Sequence, residues 1–592
     1  MENKVLLLSG NEAIALGAYE ANIKVASGYP GTPSTEILET LLSYDGIYTE
    51  WAPNEKVAVE VAIGASFAGV RSLATMKHVG LNVAADPLFT SVYTGVRGGF
   101  VIICADDPEM HSSQNEQDNR NYAFAAKLPM LEPSDPFEAK EFVKKAFNIS
   151  EEFDTPVIVR TTTRLSHVKG IVSPGNIEKS KVSPSIEKIP EKFVMLPSYA
   201  RKRRVELDKR LIRLREFVET FQENKIELGD KRIGFITSGV SYLYVKEAFP
   251  NASVLKLGIV YPFPEKMIKE FASQIEELFI VEELDPFIEL HVKAMGIKCK
   301  GKELIPSRNE LSSYIVKNAI LKEDIKKAVF EPVQIPLRPP NLCPGCPHRG
   351  IFYALSKLKV FVAGDIGCYT LAAFKPLNAV DSCVCMGASI GTAFGMEKAL
   401  GKDALSKIVA VIGDSTFVHS GITPLIDVVY NKGFTTVIIL DNSTTAMTGH
   451  QQNPATGFTI KDEPTVSIDL EALCRAIGVK HVYTVNPNDI LGTQKLVKQE
   501  IERDEPSVII TKAPCVLLPE VRKIKNKPIY KINKCKGCMT CVKLGCPAIE
   551  WIPINDEKSK QKGNSQINRV LCAGCGQCAM LCKFDAIMME EK

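Results

Sequence analysis

Residues 407–444 read KIVAVIGDSTFVHSGITPLIDVVYNKGFTTVIILDNST, and this segment decides the fold class. It begins with an apolar run, Lys407–Ile412, continues through a stretch with helical spacing, Ile422–Tyr430, and ends with a second apolar run, Thr436–Leu440. Short apolar runs of this length predict buried strands. A strand, a helix and a second strand in this order predict a parallel βαβ unit and therefore an α/β domain.

Polar residues follow both predicted strands at the point where each strand ends. Gly413-Asp414-Ser415 follows the first strand, and Asp441-Asn442-Ser443-Thr444 follows the second. The carboxyl ends of neighbouring parallel strands open on one crevice of a sheet. Asp414 and Asn442 are therefore expected to lie close together, where their side-chain oxygens would suit Mg²⁺. A strand-end turn without a metal is the other interpretation of these residues.

The chain of 592 residues is too long for one hydrophobic core. Apolar runs alternate with helical patterns in three regions, so we predict a multidomain α/β protein with doubly wound domains and a small α+β domain at the C-terminus. A proline-rich joint at 331–340 opens the third of these regions. The predicted regions are an α/β domain at 1–170, a connector at 171–230 that ends in a helix, a second α/β domain at 231–330, a third at 331–526 and a cysteine-rich tail at 527–592.

Charge and hydropathy exclude several classes of protein. The formal net charge of +3 gives no field that would attract nucleic acid or an anionic membrane. The basic run Arg201–Arg204 opens a stretch with helical spacing and is expected on a solvated helix face. No apolar stretch reaches the roughly 18 residues that a membrane span requires. The run Val5–Leu8 is too short for a signal peptide, so we expect a cytoplasmic protein.

Eight of the 17 cysteines lie in the tail, in two regular runs. The runs are Cys535-x2-Cys538-x2-Cys541-x4-Cys546 and Cys572-x2-Cys575-x2-Cys578-x3-Cys582. In two-cluster iron–sulfur domains, three cysteines of one run hold one cluster and the fourth ligates the other. The spacing therefore predicts one [4Fe–4S] cluster on Cys535, Cys538, Cys541 and Cys582, and a second on Cys572, Cys575, Cys578 and Cys546. Because the first run has an extra residue before Cys546, a [3Fe–4S] cluster is an alternative at one of the two sites. A pair of structural zinc sites is the alternative to both clusters.

The tail resembles a bacterial two-cluster ferredoxin domain, and residues 413–444 resemble the diphosphate-binding segment of thiamine-diphosphate enzymes. This family usually carries Gly-Asp-Gly and Asn-Asn, where the chain has Ser415 and Asp441. The resemblance implies that Asp414, the Asn442 side chain and the Thr444 carbonyl ligate Mg²⁺. It also places Gly413 and Ser415 around the cofactor, and His348 and His419, which flank the expected crevice, are equal candidates for cofactor contact.

A second domain of thiamine-diphosphate enzymes places a glutamate against the aminopyrimidine ring. The resemblance assigns this pyrimidine-binding role to residues 1–170 and the diphosphate-binding role to 331–526. Glu55 is the candidate glutamate when Gly80 is matched to the family's glycine turn, and Glu60 is the alternative. A surface glutamate at a helix start is the other interpretation of Glu55.

The segment Tyr29-Pro30-Gly31-Thr32-Pro33-Ser34 resembles that of 2-oxoacid:ferredoxin oxidoreductases. Met76–Asn82 and Cys343–Gly350 resemble the large (alpha) subunit of the members that act on arylpyruvates such as indolepyruvate and phenylpyruvate. The resemblance covers the whole chain and implies a transketolase-C-like domain at 231–330. It also assigns Thr32 to the substrate carboxylate. His78, beside Lys77, is a second carboxylate candidate or a structural turn residue, and His111 and Arg97 are weaker candidates.

In this family an arylpyruvate, coenzyme A and oxidised ferredoxin give arylacetyl-CoA, CO₂ and reduced ferredoxin. The resemblance therefore implies an enzyme with thiamine diphosphate, Mg²⁺ and iron–sulfur clusters, and a separate small (beta) subunit as partner. A third cluster on Cys343, Cys346, Cys368 and Cys515 is a further expectation, although Cys383 and Cys385 complicate the assignment and plain buried cysteines are the alternative. The rival functions are the same reaction on pyruvate, a branched-chain 2-oxo acid or 2-oxoglutarate, a non-oxidative decarboxylase, and a non-enzymatic electron-transfer subunit.

Overall fold

A computed structural model describes residues 5–178, 183–322, 340–524, 528–555 and 559–589. The chain divides into two compact units, Met1–Val333 and Gln334–Lys592. The predicted proline-rich joint lies outside the described residues up to residue 339, as do the predicted domain limits at 330/331 and 526/527. No helix among the described residues has the length and apolar character to cross a bilayer.

The first unit alternates strands and helices along its length. Its strands are β1 Leu6–Ser9, β2 Val25–Gly28, β3 Tyr48–Trp51, β4 Ser72–Lys77, β5 Phe100–Asp106, β6 Met130–Leu131, β7 Val157–Thr162, β8 Lys169–Val172, β9 Lys225–Glu227, β10 Asp230–Ser238, β11 Ala252–Leu257, β12 Ile259–Tyr261 and β13 Glu277–Val281. Its helices are α1 Gly10–Glu20, α2 Thr35–Leu41, α3 Glu55–Phe67, α4 His78–Val83, α5 Ala85–Thr94, α6 Arg120–Ala126, α7 Pro136–Phe153, α8 Thr163–His167, α9 Pro190–Phe193, α10 Pro197–Val218, α11 Gly239–Ala248, α12 Glu265–Ala272, α13 Phe287–Ala294 and α14 Ser313–Leu321.

A seven-stranded sheet organises this unit, with the strand order β12-β6-β7-β5-β4-β2-β3. Its strands run parallel except at the β12–β6 edge. A four-stranded sheet, β13-β10-β11-β9, carries the second α/β pattern. One buried core cluster joins both patterns, for example Ile102 of the first and Ile280 of the second. The two predicted regions therefore share a core within this unit.

The second unit contains a five-stranded parallel sheet, followed by two antiparallel strand pairs in the tail. Its strands are β14 Phe361–Ala363, β15 Ile408–Gly413, β16 Thr436–Asp441, β17 His481–Val485, β18 Ser507–Lys512, β19 Tyr530–Ile532, β20 Ile549–Pro553, β21 Gly563–Ile567 and β22 Ile587–Met589. Its helices are α15 His348–Leu358, α16 Ala388–Leu400, α17 Asp414–Thr416, α18 Ile422–Tyr430, α19 Leu470–Ile477, α20 Ile490–Ile501, α21 Pro519–Arg522 and α22 Gln577–Met580.

The parallel sheet has the order β14-β15-β16-β18-β17, so β15 and β16 are neighbours in register, with Gly413 opposite Leu440. The tail pairs β19 with β22 and β20 with β21. Leu342 and Phe352 belong to the same buried cluster as Leu544 and Leu581 of the tail. The tail therefore packs its apolar residues onto the sheet domain.

The predicted α/β class with a small α+β tail is confirmed, and the predicted βαβ unit forms at residues 408–441. Helix α3 begins at Glu55, where the Asn54 side chain accepts a hydrogen bond from Val57 N and caps the helix. The basic run Arg201–Arg204 lies within α10. Arg203 of this run binds Asp154 at 2.8 Å, so part of the run serves packing within the unit.

Candidate functional site

Two buried carboxylates meet where β15 and β16 end. Asp414 is 3% exposed, and its Oδ2 has no hydrogen-bond partner among the described residues. Burial raises the pKa of Asp414 to about 8, and the charge of Asp441 adds to the effect. Buried carboxylates are costly unless a cation compensates them. The chemistry of this donor set fits a divalent cation such as Mg²⁺.

Neighbouring polar groups fix the orientation of Asn442. Its Nδ2 donates to His348 Nε2 at 3.3 Å, and its Oδ1 accepts from Thr444 N at 3.3 Å. Burial lowers the pKa of His348 to about 4, so the ring is neutral near pH 7 and accepts this hydrogen bond. The predicted residues Asp414, Asn442, Thr444 and His348 are all buried in this part of the unit. Ser415 lies beside them, and its Oγ accepts from Thr445 Oγ1 at 3.0 Å.

Sequence reasoning missed three groups at this edge. Asn453 donates a side-chain hydrogen bond to Asp414 from a loop whose position the sequence does not indicate. Tyr369 OH accepts from Gly413 N at 2.9 Å. Asp365 follows β14 and accepts from Gly387 N at 2.9 Å and Ser389 N at 3.0 Å. A signal for Asp365 existed, since it follows an apolar strand just as Asp414 does.

In the first unit, Glu55 and Glu60 occupy different environments on α3. Glu55 is 4% exposed, and a Cβ on Gly80 would lie 2.6 Å from its Oε1, so its carboxylate rests against that glycine. The Glu60 side chain is 44% exposed and forms an ion pair with Lys56. The carboxylate that lies against the glycine turn is therefore that of Glu55.

Lys77, at the end of β4, lies beside the segment that contains Thr32. Its aliphatic carbons would lie 3.3 Å from a Cβ on Gly31. Its Nζ donates to Ser112 O at 3.0 Å, and Ser112 Oγ donates to Thr32 O at 3.1 Å. Burial lowers the pKa of Lys77 to about 8, while Asp107 and Glu55 oppose this shift. A partly desolvated ammonium at a strand end is well suited to binding a carboxylate.

The other predicted residues of this unit contact protein groups that hold its segments together. His78 is fully buried, and its Nε2 lies 3.1 Å from Asn115 Oδ1. Arg97 donates to Phe67 O at 2.9 Å and also binds Ser185, which ties distant segments of the unit together. The exposed His111 lies 3.4 Å from Glu310.

Four dispersed cysteines of the second unit come together. Cys346 interacts electrostatically with Cys343 and Cys368, and Cys515 with Cys343. Cys368 interacts with both Cys515 and Cys343. Burial raises the pKa of Cys346 to about 12 and that of Cys368 to about 11. A shared set of four thiols, of which Cys346 is buried and the others are half-buried, fits a metal centre, because a bound metal deprotonates its thiol ligands. Cys383 interacts with Cys385 and Asp365.

The eight cysteines of the tail line two separate cavities. The first cavity is bordered by Cys535, Cys538, Cys541 and Cys582. The second is bordered by Cys546, Cys572, Cys575 and Cys578. Each cavity thus combines three cysteines of one run with the fourth of the other. Backbone amides also point at sulfur: Gly537 N donates to Cys535 Sγ at 3.4 Å and Ala586 N to Cys582 Sγ at 3.3 Å. Such donors are typical around iron–sulfur clusters.

Two family models match the chain. The model described as pyruvate flavodoxin/ferredoxin oxidoreductase, thiamine diphosphate-binding, matches residues 16–201. The model described as the C-terminal thiamine pyrophosphate-binding domain of thiamine pyrophosphate enzymes matches residues 365–511. The two matches confirm the expectation of thiamine-diphosphate-binding domains in both halves of the chain.

Relatives match over nearly the full length. The chain is 44% identical to the indolepyruvate oxidoreductase subunit IorA of Archaeoglobus fulgidus over 99% of this chain and 98% of the relative. It is 42% identical to the IorA subunit of Pyrococcus abyssi over 98% of this chain and 96% of the relative. Among solved structures, a 2-oxoglutarate:ferredoxin oxidoreductase from Magnetococcus marinus matches 54% of this chain and 65% of its own at 15% identity, with a TM-score of 0.47.

Proposed function

This chain belongs to the family of the indolepyruvate oxidoreductase subunit IorA, and from that premise we propose that it is the large catalytic subunit of an indolepyruvate:ferredoxin oxidoreductase. The observation that carries the proposal is the match to IorA subunits over almost the whole of both chains. In the proposed reaction an arylpyruvate loses CO₂, its acyl group is joined to coenzyme A, and two electrons pass to ferredoxin. The likeness of the tail to a two-cluster ferredoxin supports the oxidative reaction over simple decarboxylation.

Thiamine diphosphate would be held in the second unit through Mg²⁺. The orphaned Oδ2 of Asp414 supports this assignment, with the Asn442 side chain and the Thr444 carbonyl as further ligands. When bound, thiamine diphosphate supplies the carbanion chemistry that decarboxylation requires. His348 would orient Asn442. Its Nε2 accepts a hydrogen bond from the amide nitrogen of Asn442, so the amide oxygen faces away from the His348 ring.

Glu55 would be the acid–base group of the first unit. Its burial favours a short, ordered hydrogen bond to an aminopyrimidine, and the glycine at position 80 leaves room for its carboxylate. Glu60 is a weaker candidate because its side chain is exposed and paired with Lys56.

The substrate carboxylate would be bound by Lys77 together with Thr32. The ammonium of Lys77 and the Thr32 backbone share Ser112 as a hydrogen-bond neighbour, so both belong to one polar patch. Desolvation strengthens the attraction between the ammonium and a carboxylate. His78 would support the helix start next to Lys77, where its Nε2 binds Asn115.

The tail would carry two [4Fe–4S] clusters, and the set formed by Cys343, Cys346, Cys368 and Cys515 would carry a third. The two four-cysteine cavities and the mutual interactions of the dispersed cysteines support these assignments. The clusters would pass electrons singly to ferredoxin. A separate small subunit is the expected partner, and coenzyme A the expected acyl acceptor.

The test is an anaerobic preparation of this chain with its small subunit, assayed for coenzyme A-dependent viologen or ferredoxin reduction. Indolepyruvate, phenylpyruvate, pyruvate and 2-oxoglutarate are compared, with Asp414→Ala as the inactive control. Preference for the arylpyruvates supports the proposal. Preference for pyruvate or 2-oxoglutarate would refute the substrate assignment, and release of an aldehyde without viologen reduction would refute the oxidative reaction.

A further inference from the structure

The guanidinium of Arg349 is buried without an acidic partner among the described residues. Arg349 is 1% exposed. Its Nη1 donates to Leu544 O at 3.1 Å and Gly545 O at 2.6 Å, and its Nη2 donates to the carbonyls of Leu342 and Cys343. Its Nε has no hydrogen-bond partner in the described parts of the chain. Backbone carbonyls thus solvate this cation, but no carboxylate in the described ranges neutralises it.

A buried charge without a counter-ion is strongly destabilising, so an anion is expected beside Arg349. The groups that interact with it electrostatically are Cys546, Cys346, Cys575 and Cys343. Arg349 also lines the cavity bordered by Cys546, Cys572, Cys575 and Cys578. The missing anion is therefore expected in the cysteine sites, because a metal centre held by thiolates carries negative charge.

We propose that Arg349 is the fixed counter-charge of the iron–sulfur cluster in the cavity of Cys546, Cys572, Cys575 and Cys578, and that it raises the reduction potential of that cluster. This inference rests on the cluster assignment made for the proposed function. Reduction adds negative charge to a cluster, and a nearby cation stabilises the reduced form more than the oxidised form. Arg349 has this effect without touching the reacting atoms, so it is a positioning residue.

Arg349 lies beside both the dispersed cysteine set and the tail cysteines. One edge of the guanidinium binds Leu342 and Cys343, at the start of the Cys343–Cys346 segment, and the other binds Leu544 and Gly545, just before Cys546. The side chain thus joins the loop of the dispersed cysteine set to the loop of the tail. Its positive charge therefore favours reduction in both cysteine sets, and the cavity that it lines is the one bordered by Cys546, Cys572, Cys575 and Cys578.

The test is a redox titration monitored by electron paramagnetic resonance on the anaerobically purified complex. Wild type, Arg349→Gln and Arg349→Lys are compared, with Arg475→Gln, a surface arginine of the same unit paired with Glu471, as the matched control. Arg349→Gln is expected to shift the midpoint potential of one tail cluster to more negative values. Arg349→Lys should shift it less, and Arg475→Gln should not shift it. The cluster assigned to the cavity of Cys535 should keep its potential in all variants.

An unchanged potential in Arg349→Gln with full iron content would overturn the proposal, as would equal shifts in the Gln and Lys variants. If Arg349→Gln loses iron, the Arg349→Lys variant decides between the two roles. Iron retained at the wild-type potential in Arg349→Lys supports the role of the charge. Iron lost in both variants would overturn the proposal, because Arg349 would then only hold the two loops together. A wild-type preparation without cluster signals would instead refute the cluster assignment of the proposed function.

Discussion

Gly80 lies directly against the carboxylate of Glu55, because a Cβ at position 80 would come within 2.6 Å of Glu55 Oε1 and 2.7 Å of its Cγ. Gly80→Ala is therefore expected to displace the carboxylate while α4 stays intact. A displacement of a catalytic group by about 1 Å can cost roughly 100-fold in rate. The measurement is viologen reduction by the purified complex, combined with its melting temperature.

Gly64→Ala on α3 is the matched control, since nothing lies within 4 Å of its Cβ position. It should keep full activity and gain about 0.5–1 kcal/mol of stability through helix propensity. Glu55→Gln should lower the rate by roughly 10²–10⁴-fold as the loss of an acid–base group, and Glu60→Gln should leave it unchanged. Wild-type activity in Gly80→Ala or Glu55→Gln would contradict the role of Glu55.

Lys77 is expected to make substrate binding depend on pH. Its pKa is lowered to about 8, so the ammonium carries its charge below this pH and loses it above. The KM for indolepyruvate is therefore expected to rise as the pH increases through 8. Lys77→Met should raise KM at pH 7 by roughly 10- to 100-fold, the value of a hydrogen bond to a charged group, and should flatten the profile. The exposed Lys56→Met serves as the control, and a Lys77→Met profile like that of wild type would exclude this role.

Asp414→Asn should raise the stability of the cofactor-free protein and should abolish the binding of thiamine diphosphate with Mg²⁺. The folded pKa of about 8 lies above the ordinary value of 3.8, so the cofactor-free fold loses stability as the pH rises from 3.8 to 8. The amide removes this cost, and the cofactor-free variant should melt higher than wild type at pH 7.5. Thiamine diphosphate with Mg²⁺ should raise the melting temperature of wild type only. Retained thiamine diphosphate in the variant would disprove the Mg²⁺ assignment.

A single cysteine-to-serine substitution should affect the cluster in only one of the two tail cavities. Cys582→Ser is expected to remove or alter the cluster of the cavity with Cys535, and Cys546→Ser that of the cavity with Cys572. Iron content and electron paramagnetic resonance of each variant are the measurements. Cys299→Ser in the first unit should keep the full iron content. Zinc in place of iron in anaerobic wild type, or the same cluster lost in both variants, would contradict the pairing.

The sequence predicted those parts of the fold and site that depend on local pattern. The strands that end at Gly413 and Asp441 have apolar runs followed by polar residues, and the cysteine spacing implied which four cysteines of the tail face each cavity. Lys77 was not predicted as a site residue, because its importance comes from desolvation by distant segments such as Gly31. Arg349 was missed for a similar reason, since its partners at Leu544 and Gly545 are carbonyls that no side-chain pattern reveals.

The apolar cluster shared by Phe352 of the sheet domain and Leu581 of the tail would link the stability of the sheet domain to the proposed iron–sulfur clusters. Ala573 of the tail approaches Gly345 so closely that a Cβ on the glycine would lie 2.5 Å from the Ala573 Cβ. Metal that holds a small domain together contributes its binding free energy to folding. Oxygen damage to the clusters is thus expected to expose apolar surface on the sheet domain. Iron starvation is expected to make the whole chain aggregate.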